Sequence, residues 1–289
     1  MRSSFLTRLA PALAILLSAC SPLRTFNAVV PKDPGAVRIA QDQSFREGPR
    51  GSLDLYAPRG TRADARLPVI VFLYGGSWNS GEKGSYSFAG YALARRGFLV
   101  AIPDYRLYPE VRYPAFIEDG AAAVRWLRAN ADRFGGDPDR LVLVGHSAGA
   151  YNAAMLALDP QWLGRDRKAI RGWAGMGGPY SFLPLDSPAT IAAFGGTADL
   201  PATQPTAFVS ANSPPALLIT GAKDTLVRPR NAERMAAAYG AAGVPVETRV
   251  YPDVGHAGLV TALSTLLRRK APALDDVTAF AQRVTAPRP

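Results

Sequence analysis

The sequence predicts an α/β protein, a mostly parallel sheet covered by helices. Two observations carry this. Short, wholly apolar runs of strand length alternate with longer stretches of helical spacing. The runs also lack polar alternation, as expected of strands buried on both faces.

The elements follow in order. Leu53 to Tyr56 reads as an early strand. Pro68 introduces Val69-Ile70-Val71-Phe72-Leu73, a second strand, and Tyr86 to Arg96 is helical and stops at Gly97. Phe98 to Ile102 is a strand, and Phe116 to Phe134 a helix ended by Gly135-Gly136. Leu141 to Val144 is a buried strand, and Ala148 to Leu158 a helix of small residues. Ile170 to Met176, Ala216 to Thr220 and Val246 to Tyr251 continue the strands, and Arg230 to Ala242 and Leu259 to Arg269 the helices. Residues 178–215 interrupt the alternation with Pro, Gly, Ser and Thr; so long an insert suits a lid or pocket wall.

The N-terminus has a different character. Arg2 and Arg8 precede an apolar stretch, Leu9 to Ala19, too short to span a bilayer comfortably and laid out as a secretory signal. It ends in Leu17-Ser18-Ala19-Cys20, which resembles the lipobox of bacterial lipoproteins. That resemblance implies acylation of Cys20 and an extracytoplasmic protein held to the membrane by lipid. Ser21 after the cysteine implies the outer membrane. Cys20 is the only cysteine, which excludes an intramolecular disulfide. Residues 20–35 are expected to form a tether, with Pro22, Pro31 and Pro34 discouraging regular structure. A single domain is expected over residues 36–289.

Removing Arg2 and Arg8 lowers the formal charge from +10 to +8. The excess is arginine scattered singly, with no basic run, which argues against a nucleic-acid partner.

Gly145-His146-Ser147-Ala148-Gly149 matches G-x-S-x-G. The string alone is common; its setting between a buried strand and a helix is not. A sharp strand-to-helix turn needs small residues two before and two after the serine, and it presents the hydroxyl at a helix N-terminus. Ser147 is therefore the expected nucleophile. A serine needs a base, and the chain has two histidines. His146 adjoins Ser147 within the turn and is expected to point elsewhere, which leaves His256, after the strand Val246–Tyr251. Asp224, just past the strand Ala216–Thr220, is the expected third member, giving the order Ser…Asp…His. Glu247 and Asp253 are poorer candidates, one opening a strand and one a turn residue. Gly75-Gly76 after the strand ending at Leu73 predicts an oxyanion site built from the amides of Gly76, Ser77 and Ala148. Two histidines and one cysteine make a zinc site a poor fit, and no cofactor is implied.

With these motifs in place, the chain resembles the esterase/lipase branch of the α/β-hydrolase superfamily, which includes hormone-sensitive-lipase-like carboxylesterases and kynurenine-formamidase-like hydrolases. Tyr74-Gly75-Gly76-Ser77-Trp78 is similar to their His-Gly-Gly-x-Trp loop, with Tyr74 in place of the histidine. Asp104-Tyr105-Arg106-Leu107 with Pro109-Glu110, Gly135-Gly136-Asp137-Pro138 and Ser213-Pro214-Pro215 also match, over roughly residues 53–267. The resemblance implies that Asp104, Tyr105 and Arg106 support the site from behind, and that a tyrosine hydroxyl takes over the bracing role of the family histidine. It implies a carboxylic-ester hydrolase acting on a small-molecule ester. An arylformamidase-like amide hydrolase uses the same triad, and a non-catalytic lipid-anchored binding protein is the reading of another class. Trp78, Tyr151, Tyr180, Phe182 and Phe194 are candidates to line the substrate pocket.

Overall fold

The computed structural model describes residues 22–287. Eight strands form one sheet: β1 (Ala36–Ser44), β2 (Ser52–Pro58), β3 (Leu67–Leu73), β4 (Leu99–Pro103), β5 (Gly136–His146), β6 (Ile170–Met176), β7 (Ala216–Gly221) and β8 (Val246–Tyr251), in the order β1-β2-β4-β3-β5-β6-β7-β8. The β1/β2 and β2/β4 pairs are antiparallel and all others are parallel. The helices are α1 (Pro22–Val29), α2 (Ser87–Ala94), α3 (Ala115–Asn130), α4 (Ala148–Leu158), α5 (Pro160–Leu163), α6 (Pro188–Phe194), α7 (Arg230–Ala241), α8 (His256–Thr261) and α9 (Ala273–Thr285).

The apolar runs of β3 and β5 are inaccessible along Val69–Leu73 and Leu141–Val144, because helices cover both faces of the sheet. The edges are built differently. β8 carries Glu247 and Arg249, which pair with each other and reach Arg283 and Asp276 respectively, so charge protects its open side. β1 is polar, with register shifts at Arg38/Ala40 and Ala40/Gln43.

Three expectations need correction. Part of the tether is the helix α1. Proline is tolerated in a helix's first turn, where its missing N–H has no partner to lose. Phe26 packs edge-on against Phe88 at 5.3 Å, and Asn27 accepts from the Ser87 hydroxyl and the Phe88 amide at the start of α2. The last expected helix, Leu259 to Arg269, instead begins at His256 and ends at Thr261. Beyond it the Ser264 hydroxyl donates to the Thr261 carbonyl, a local bond that competes with helix continuation, and the Arg268 side chain reaches the distant Asp33. The insert of residues 178–215 is not wholly irregular either, since α6 lies within it, opened by a reciprocal cap between Ser187 and Thr190. The apolar stretch Leu9 to Ala19 and Cys20 lie outside the described residues.

Candidate active site

The C-terminal ends of the parallel strands bring Ser147, Asp224, His256, Gly76, Ser77 and Ala148 to one end of the sheet, the usual location of sites in open α/β folds, while Cys20 lies outside the described residues. Ser147 follows β5 and precedes α4, with φ 55° and ψ −124°. That conformation is costly for a residue with a side chain and persists where the surroundings impose it. They do so here by close packing. A Cβ on Gly145 would lie 2.2 Å from the Gly149 carbonyl oxygen, and one on Gly149 would lie 2.0 Å from that of Leu73. The two glycines thus let β5, the turn and β3 approach one another. The Ser147 amide is fixed by donation to the Met176 carbonyl at 2.9 Å.

Asp224 and His256 meet as expected. His256 Nδ1 lies 2.7 Å from Asp224 Oδ2, and the Asp224 side chain is fully buried. Its other oxygen accepts the amides of Leu226 and Val227 at 3.0 and 2.8 Å. The carboxylate is therefore held in place and points one oxygen at the imidazole. The Ser147 hydroxyl makes no hydrogen bond to His256 in this structure; such contacts are often long without substrate and tighten when it binds.

Of the predicted oxyanion donors, the amides of Gly76 and Ser77 have no protein acceptor among the described residues. Ala148 is the first residue of α4, so its amide has no intrahelical acceptor. Ser77 and Ala148 line, with Ser147, a cavity of about 660 Å³. Gly76 φ is 139°, and a Cβ there would lie 2.1 Å from the Ser80 carbonyl oxygen, so the turn tolerates only glycine.

Tyr74 is braced as expected. Its hydroxyl donates to Asp104 Oδ1 at 2.8 Å and accepts from Arg50 at 3.2 Å. Its ring stacks on Tyr105 at 4.5 Å, and Tyr105 donates back to the Tyr74 carbonyl at 2.8 Å. Tyr86 donates to the Gly75 carbonyl at 3.0 Å, tying the glycine loop to the same stack. Burial pushes the Tyr74 and Tyr105 phenols well up, so both stay neutral donors. Arg106 supports the site from further back through a bidentate pair with the buried Asp119, which Arg46 joins at 3.0 Å.

Two features escape sequence reasoning. His146 does not simply point away. Its ring lies 4.8 Å from that of His256, and its Nε2 is 3.1 Å from the His256 carbonyl oxygen. That contact requires the proton on Nε2. Burial, and then the charge His256 can carry, hold the His146 imidazole down to about 3. Trp78 donates to the buried Asn152 at 3.1 Å, anchoring the Gly75-Gly76 loop on α4. Of the candidate pocket residues, Trp78 and Phe182 line the cavity. Tyr151, Tyr180 and Phe194 are buried beneath it; the Tyr151 hydroxyl donates to the Thr203 carbonyl, which seats the insert.

Comparison with known proteins divides at the insert. Residues 53–169 match the BD-FAE family model and residues 196–287 the prolyl oligopeptidase family model. A probable isoprenylcysteine alpha-carbonyl methylesterase of Oryza sativa subsp. japonica is 40% identical over 121 residues, 42% of this chain and 28% of that protein. The carboxylesterase NlhH of Mycobacterium tuberculosis (strain ATCC 25618 / H37Rv) is 41% identical over 93 residues, 32% of this chain and 29% of that protein. The chain thus spans under a third of the length of either relative. Esterase B from Lactobacillus rhamnosis superposes with a TM-score of 0.81 at 20% identity, covering 96% of this chain and 95% of that one. A truncated carbohydrate esterase from gut microbiota gives 0.77 at 20%, covering 89% and 100%. At these identities the superpositions speak for the fold. Sheet order, turn geometry and motif order agree with them, and the chain has the α/β-hydrolase fold.

Proposed function

We propose that the chain is a serine hydrolase of carboxylic esters, with Ser147 as nucleophile, His256 as base and Asp224 as its orienting partner. The observation that carries this is the 2.7 Å Asp224–His256 contact on the same sheet edge as a strained Ser147 that opens into a cavity. Ser147 Oγ would attack the ester carbonyl while His256 Nε2 takes its proton. The carbonyl oxygen gains the negative charge and is met by the amides of Gly76, Ser77 and Ala148, each such donor being worth about 3 kcal/mol. Collapse expels the alcohol, which receives the proton from His256. Water then repeats the sequence on the acyl-serine and releases the acid. Esterase names among the sequence relatives favour ester over amide substrates.

The test is the Ser147→Ala variant against short p-nitrophenyl esters. Cleavage is expected to fall about a thousandfold or more while the circular dichroism spectrum stays unchanged. Full activity in the folded variant would overturn the assignment. We also propose that Cys20 is lipidated and that the enzyme is extracytoplasmic, on the strength of the lipobox-like Leu17-Ser18-Ala19-Cys20.

A further inference from the structure

The lining of the cavity that holds Ser147 is strongly basic. Arg228, Arg230 and Arg234, from the start of α7 and the turn before it, line the same cavity as Ser147, against a single carboxylate, Asp186. None of the three has a carboxylate within salt-bridge reach among the described residues, a state they share with other exposed arginines such as Arg59 and Arg165; what sets them apart is that they line the cavity of Ser147. Their only recorded side-chain bonds run from Arg234 to Ser181 in the insert, which anchor it at the cavity wall and leave its charge uncompensated.

Their placement also runs against the helix. An α-helix N-terminus carries partial positive charge and favours acidic side chains, yet Arg230 is the first residue of α7 and Arg228 stands two before it. Glu233 is the one acid in that first turn. All three side chains are exposed, so cations and helix terminus add their fields at the solvent-facing rim of a concave site, which concentrates anions. A guanidinium matches a carboxylate in shape and by paired N–H donors.

We propose that the substrate is an ester that carries a free carboxylate, bound by Arg228 and Arg230 with Arg234 behind them. This rests on the hydrolase reading above. It accounts for a cavity that is large enough for a small molecule but is not lined mainly by apolar residues as a plain acyl pocket would be.

The test uses two matched pairs of esters, since the charge can sit on either side of the scissile bond. Monoethyl glutarate against ethyl butyrate places it on the acyl side; 4-acetoxybenzoate against phenyl acetate places it on the alcohol side. The reading is the ratio of kcat/KM, anionic over neutral. In at least one pair this ratio is expected to fall about tenfold or more in the Arg228→Glu/Arg230→Glu variant, and to fall with added salt in the unaltered protein. The salt series needs no variant, so a misfolded double variant leaves the inference open to refutation. Neutral esters cleaved through Ser147, with ratios that move with neither salt nor charge reversal, would overturn this inference alone. If no ester in either pair is cleaved in a Ser147-dependent way, the hydrolase reading falls and this one with it.

Discussion

His146 offers a prediction whose size follows from the structure. The imidazole is buried between the Gly75 turn and His256, and a Cβ on Gly75 would lie only 2.8 Å from its Nδ1. Burial, then the charge on His256, lower its proton affinity from the ordinary 6.5 to about 3. In the unfolded chain the same group takes a proton below about 6.5. The unfolded state thus binds more protons between those two values, and stability falls as pH falls through that window. Each pH unit well between those values costs about 1.4 kcal/mol, so the loss from this one group is about 2 kcal/mol at pH 5 and about 4 kcal/mol by pH 3. His146→Gln retains a donor for the His256 carbonyl and removes the titration. Urea unfolding at pH 7 and pH 5 measures the difference. The wild type should lose about 2 kcal/mol more than the variant over that interval. Equal losses would show that His146 titrates alike in the folded and unfolded chain, and the reasoning from its burial would fail. The same neutrality matters for the proposed chemistry, because a charged His146 would oppose the proton that His256 must accept.

Two further outcomes are expected. Tyr74→Phe removes the hydroxyl that donates to Asp104 at 2.8 Å and leaves that carboxylate with the Lys83 amide and the more distant charges of Lys83 and Arg50. It should cost about 1.5–3 kcal/mol of stability, read as a melting temperature lowered by several degrees, and an unchanged melting temperature would refute the bracing role. Cys20→Ser should abolish incorporation of labelled palmitate and move the protein from the membrane fraction to the soluble one; retained label would refute lipidation.

The interior strands were legible because burial on both faces leaves an unbroken apolar run. β1 was not, because an edge strand is kept polar: Arg38, Gln41, Asp42 and Gln43 leave no apolar run to mark it. Pro22 was read as a breaker, though in the first turn of α1 it costs nothing. α9 carries Asp275 and Asp276 in its first turn, Arg283 in its last and a buried Leu274, Val277, Phe280 and Ala281 between them. Its signals are complete, but it follows the last expected element and no motif draws attention to it. The placement of the proposed triad residues was legible because each stands just past a strand that can be read, and strand ends share one end of a parallel sheet. His146 was misjudged because adjacency in sequence says nothing of the ring's direction.

Aromatic residues mark the boundary of what a sequence can say about this pocket. Trp78 and Phe182 face the cavity, while Tyr151 and Phe194 lie directly beneath, in edge contact with Trp78 at 5.3 and 4.9 Å. All four are large, apolar and near the same motifs, so residue type cannot separate lining from support. The arginines show the converse. Arg228, Arg230 and Arg234 looked like scattered surface charge because spacing was counted along the chain. The bend from Asp224 into α7 brings them into the lining of one cavity together with Ser77 and Ala148. The residues proposed to break the bond are tied to strand ends and so survive in the sequence pattern. Those proposed to choose the substrate sit on a loop and a helix start, where only the folded geometry decides which way they face.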